Sequence, residues 1–141
     1  MKIWNKLLLL SLLSLITLFS CKKDGPTVLE NKLVGNWKEL DVNRSLKFTI
    51  DNFFAFSITD GDGVKSTYSG NYQINGDNLN VSTQKVLVQQ PGKLAQTTPS
   101  TTPFFDKASF SVSGDTLTIN YISYPADAPV PTTGKFLRSA L

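Results

Sequence analysis

Tyr72-Gln73-Ile74-Asn75-Gly76-Asp77-Asn78-Leu79-Asn80-Val81 decides the fold class. Apolar side chains stand at 72, 74, 79 and 81, polar ones lie between them, and a Gly-Asp pair sits in the middle. A period of two marks strands with one buried face. Gly-Asp tolerates the positive φ of a tight hairpin turn. The pattern returns as Phe110-Ser111-Val112-Ser113-Gly114-Asp115-Thr116-Leu117-Thr118-Ile119. Two like hairpins point to an antiparallel meander rather than a repeat array.

The same period runs outward from there. Leu46, Phe48 and Ile50 alternate with polar residues, and Phe54, Phe56 and Ile58 follow on one face. Asp60-Gly61-Asp62-Gly63 is a turn, and Tyr68, Gly70, Tyr72 and Ile74 form the next stripe. Val86 and Val88 extend the strand of Leu79 and Val81, directly or through a bulge. Pro-rich stretches at Gln89–Pro103 and Pro125–Thr133 read as long loops, because proline cannot donate to a ladder. Thr27–Val34 reads as one short helix or turn. The strands expected are 35–42, 44–51, 52–59, 64–75, 79–88, 104–113, 117–124 and 134–140. About eight strands joined by hairpins avoid open edges by closing. The expected fold is therefore all-β, an antiparallel up-and-down barrel. At eight strands the interior holds side chains or one small ligand.

The chain of 141 residues has one cysteine, Cys21. Lys2 and Lys6 precede an apolar run of thirteen residues, Leu7–Phe19, broken by Ser11, Ser14 and Thr17. A spanning helix needs roughly 20 residues, so this run fits a signal peptide. Leu18-Phe19-Ser20-Cys21 resembles the lipobox of bacterial lipoproteins. The resemblance implies cleavage before Cys21, acylation of its thiol, and a firm hold on a membrane, since each buried CH₂ contributes ~0.8 kcal/mol. Residues 1–20 are then a removed leader, 21–26 a lipidated tether and 27–141 the domain. Lys22 after the cysteine favours the outer membrane; periplasmic side and cell surface stay open.

Of 14 Lys and Arg, two lie in the leader, so the remainder carries 12 bases against 11 acids. That balance, without a basic stripe, argues against nucleic acid as a partner. The chain has no histidine, which removes the commonest general base and neutral metal ligand. No serine has a Gly-x-Ser-x-Gly setting. Asp60 and Asp62 begin like a calcium loop, but Lys65 and Asn71 stand where it needs Gly and Glu. The chain reads as a non-enzyme with no cofactor and no metal.

Leu33-Val34-Gly35-Asn36-Trp37-Lys38 resembles the Gly-x-Trp opening of lipocalins and short bacterial lipocalin-like domains. Ser69-Gly70-Asn71-Tyr72-Gln73-Ile74 and Lys135-Phe136-Leu137-Arg138 resemble a middle and the last strand of that family. The resemblance implies an eight-stranded barrel open at one end to a hydrophobic ligand. It implies that Gly35 permits close packing at the closed end, with Trp37 plugging it and Arg138 on the Trp37 face as a cation–π partner. Glu39 departs from it: either a bulge intervenes or a charge points inward. Phe48, Phe54, Phe56, Tyr72, Phe110 and Tyr121 are the candidate ligand contacts, or equally the filling of a closed core. Tyr68 or Tyr124, if exposed, would suit a protein partner, whose identity the sequence does not give. Two functions follow. One is a membrane-anchored barrel binding a small hydrophobic molecule, with 59–63, 89–103 and 125–133 at its mouth. The other is a structural or inhibitor-like envelope protein with a filled core.

Overall fold

A computed structural model describes residues 32–40, 42–125 and 128–140. The leader, Cys21, the tether and most of the segment 27–34 lie outside the described residues. Lys32 and Leu33 are helical. Nine strands follow: β1 (Gly35–Glu39), β2 (Arg44–Phe48), β3 (Phe53–Thr59), β4 (Lys65–Asn75), β5 (Asn78–Gln89), β6 (Gln96–Pro99), β7 (Asp106–Ser113), β8 (Thr116–Ser123) and β9 (Val130–Ser139). All pairings are antiparallel. The sheet order β4-β3-β2-β1-β9-β8-β7-β5, with β4 also paired to β5, closes eight strands into an up-and-down barrel. β6 is an additional strand on the upper half of β5.

The paired Gly-Asp motifs are the bottom hairpins. Asn75 pairs Asn78 and Ser113 pairs Thr116, leaving Gly76-Asp77 and Gly114-Asp115 as two-residue turns. Gly76 and Gly114 take φ of 63° and 56°, a left-handed conformation that costs a residue with a Cβ about 1–2 kcal/mol. Up-and-down order places the β1–β2, β3–β4, β5–β6 and β8–β9 connections at the opposite end.

The inward positions form one core. Trp37, Leu46, Phe48, Phe54, Tyr72, Leu79, Leu117, Ile119 and Phe136 are each 2% exposed or less. Phe48 and Tyr72 meet edge to face at 5.1 Å, and Tyr72 Oη donates to the Thr49 carbonyl at 2.8 Å. The lower interior is thus filled by side chains, as small barrels usually are.

Several boundaries differ from the sequence reading, each for a tertiary reason. β2 stops at Phe48, and Ile50 lies exposed in the β2–β3 turn. There Asn52 takes φ 62° and its amide donates to the Thr49 carbonyl. Gln89–Pro103 is not one loop: β6 forms inside it, pairing Lys85 with Pro99 and Val88 with Gln96. An edge strand needs its donors on one side only, so Pro99 is tolerated there. Pro125–Thr133 likewise gives its last four residues to β9, where Pro131 pairs Ile122 of β8. On the other flank of β9 the pairing with β1 ends at Phe136, and the Leu40 amide reaches only to the Lys135 carbonyl, so Pro131 owes no hydrogen bond on that side. β7 begins at Asp106 rather than 104.

Candidate functional site

The wall of the barrel is weakest where β5 divides its partners. Its lower end pairs with β7 through Asn78–Ser109 and Leu79–Ala108, and its upper half pairs with β6. Residues 100–105 bridge β6 and β7 without joining either strand. Pro103 supplies no donor. Phe105 and Lys107 are held at φ 56° and 48°. Left-handed backbone at residues other than glycine is uncommon; at Lys107 it falls in the register shift between Asp106 and Ser109, and at Phe105 packing accompanies it.

That packing is aromatic. Phe104 and Phe105 turn into the upper barrel and meet Phe56 at 5.1 and 5.6 Å between ring centroids. Tyr68 meets Phe104 at 4.7 Å and Tyr121 meets Phe105 at 5.0 Å. All four contacts are edge-to-face, an arrangement worth ~0.5–1.5 kcal/mol per pair beyond area burial. Tyr68 is half-buried by this cluster, so of the two tyrosines considered for a partner surface only Tyr124 is exposed.

Beside the cluster lies a cavity of about 370 Å³, bounded by Phe56 and Ile58 of β3, Phe104, Phe105, and Tyr121 and Ile122 of β8, with Arg44, Asp106 and Tyr124 at its rim. It has the scale of a small-molecule site. Glu39 resolves the alternative left by the sequence: β1 keeps register through Glu39–Phe136, and the carboxylate points inward. Arg44 stands 3.5 Å from it, and the Glu39 side chain is 15% exposed. The two charges offset each other, and Asp106 remains as a carboxylate at the rim. Burial, reinforced by the Glu39 charge and opposed by Arg44, pushes the Tyr121 phenol above its ordinary value. Tyr121 is therefore neutral at physiological pH, with its hydroxyl able to donate. Tyr124 Oη donates to Asp106 Oδ2 at 2.7 Å, and that bond raises its own phenol.

Of the six ligand contacts expected from sequence, Phe56 and Tyr121 border this cavity. Phe48, Phe54, Tyr72 and Phe110 belong to the packed core. Phe104, Phe105, Ile58, Ile122 and Arg44 are additional. The adjacent Phe pair after Pro103 was the one signal for the first two, but no alternation says that both turn inward. Asp60 has an occupation of its own: its Oδ1 accepts from the amides of Asp62 and Val64 at 3.0 and 2.9 Å.

The closed end is built differently. Trp37 Nε1 donates to the Leu33 carbonyl at 2.8 Å. The Arg138 guanidinium lies 4.2 Å from the Trp37 ring centroid and donates to the carbonyls of Val34 and Lys32 at 3.0 and 2.9 Å. At Gly35 a Cβ would come 2.5 Å from Arg138 Nη1. The chain matches no family model, no curated protein and no solved structure.

Proposed function

We propose that this protein is a lipocalin-like lipoprotein, held in the outer membrane through Cys21, that binds a small hydrophobic molecule at the mouth of its barrel. The observation that carries the ligand is the aromatic-walled cavity of about 370 Å³ above a packed interior. Its walls offer apolar surface, and its one cation is already neutralised by Glu39. Burying a free charge there would be costly, so a neutral, mainly apolar molecule suits it best. The lipocalin relationship rests on the Gly-x-Trp opening and on Arg138 over Trp37. The anchor rests on the lipobox-like Leu18-Phe19-Ser20-Cys21.

Native mass spectrometry of the protein extracted from its own host, followed by titration with the neutral fluorescent probe N-phenyl-1-naphthylamine and displacement by dodecanol, tests the ligand. Ile58→Trp fills the cavity and is expected to weaken probe binding at least tenfold with little change in melting temperature. Phe48→Leu, in the packed core, is expected to lower stability by about 1 kcal/mol and leave probe affinity unchanged. A protein without adduct and without saturable probe binding defeats the reading. It would favour the second one, an envelope interaction protein, which the filling of the mouth by Phe104 and Phe105 supports.

The anchor has its own test. Cys21→Ala is expected to move the protein from the membrane fraction to the soluble fraction. Continued membrane association would refute acylation at that residue.

A further inference from the structure

The outer face of β1, β2 and β3 holds a second depression, separate from the barrel interior. Cross-strand register sets Asn36 beside Lys47 and Lys38 beside Ser45. It continues Lys47 to Ala55 and Ser45 to Ser57, and sets Thr59 beside Lys65. Ser45, Ala55 and Ser57 are therefore central and small, and longer side chains surround them. The result is a trough of about 510 Å³ on the outside of the wall.

Its charge is one-sided. Lys38, Lys47 and Lys65 line it, and among the described residues no Asp or Glu does. All three are exposed, and among the described residues none forms an ion pair. Arg44, at one end, is committed to Glu39. Asp51 lies near enough to Lys47 for its carboxyl to feel that charge, but it accepts from the Thr49 hydroxyl. Asp60, in the turn before Lys65, is bonded into that turn. Three like charges around one depression repel each other, and a bound anion relieves that repulsion.

The floor narrows the ligand class. It presents the hydroxyls of Ser45 and Thr59, that of Ser57, which shares a hydrogen bond with Thr67 at 2.9 Å, and the amides of Asn36 and Asn43. Trp37, the aromatic residue beneath, is fully buried and offers no stacking face. A planar anionic surface is met better by a protruding basic patch than by lysines set around a hollow. A discrete ligand rich in hydroxyl groups matches both floor and rim.

We propose that this trough binds an anionic sugar unit, with Lys38, Lys47 and Lys65 taking its carboxylate or phosphate and the Ser and Asn side chains taking its hydroxyls. The test is an amide NMR titration of the full-length chain in detergent with glucose 6-phosphate, glucuronate, glucose and inorganic phosphate. Glucose 6-phosphate or glucuronate is expected to shift Asn36, Lys38, Ser45 and Ser57 saturably, the responding probe distinguishing phosphate from carboxylate recognition. Lys38→Glu with Lys47→Glu should weaken this at least tenfold. Ser45→Tyr, which fills the floor without altering charge, should do the same, and Lys85→Glu on β5 should not. Equal binding of inorganic phosphate and glucose 6-phosphate would overturn the sugar proposal. So would shifts spread over every lysine, shifts untouched by the variants, or none at all.

Discussion

Trp37→Ala is expected to lower stability by about 3–5 kcal/mol, the range for truncating a buried Trp or Phe. Trp37 is fully buried, and three separate interactions end on it or its cover. Its indole donates to the Leu33 carbonyl, its ring carries the Arg138 guanidinium, and Arg138 in turn ties down Lys32 and Val34. Removing the indole leaves a cavity, an unpaired carbonyl and a guanidinium without its aromatic face. For a domain of this size the loss corresponds to a melting temperature lower by on the order of 10–20 °C. Arg138→Ala should cost less, because the ring stays and water replaces part of what is lost. The cycle of both variants measures the coupling, which should be clearly non-zero for groups in contact. Additive effects in calorimetry would show that Trp37 and Arg138 do not act as one closure.

That closure also shows what the sequence makes legible. Leu46, Phe48, Phe54, Phe56, Tyr72 and Leu79 alternate with polar neighbours, and every one is buried where the period of two places it. Alternation is a local property, written wherever one face of a strand meets the core. The two Gly-Asp turns are local as well. The mouth is different. Phe104 and Phe105 follow three prolines and a run of threonines, with no periodic pattern to assign them a face. Their inward course depends on β6 claiming the upper half of β5 and so denying it to β7. That competition between distant segments leaves no trace in the stretch itself. Glu39 is the intermediate case. Period two left an inward carboxylate or a bulge as alternatives, and its partner Arg44 lies across a turn, where charge spacing carries no directional signal.

Gly70→Ala is the second large effect, and it concerns the bulge in the β4–β5 pair. A Cβ at Gly70 would lie 1.9 Å from the Ser82 carbonyl oxygen and 3.1 Å from the Gln84 amide nitrogen. Both are backbone atoms, so no side chain can swing aside. The approach is close because β5 is bulged there: Ser69 pairs Lys85 while Gly70 pairs Thr83, and Gln84 is left out of the ladder. One extra residue reverses which side chains face inward. Leu79, Val81 and Thr83 face in before the bulge, and Val86 and Val88 after it. A methyl group at 70 must therefore push the bulge flat or separate β4 from β5. We expect a loss of at least about 1–3 kcal/mol, the usual cost of overpacking, read as a lower denaturation midpoint. We also expect altered cross-strand NOEs between Tyr68 and Val86. Thr83→Val is the control in the same place. The Thr83 hydroxyl is buried with no hydrogen-bond partner among the described residues, so replacing it by an apolar isostere should leave stability unchanged or raise it slightly. If Gly70→Ala were as mild as Thr83→Val, the strands could not approach as closely as Gly70 allows.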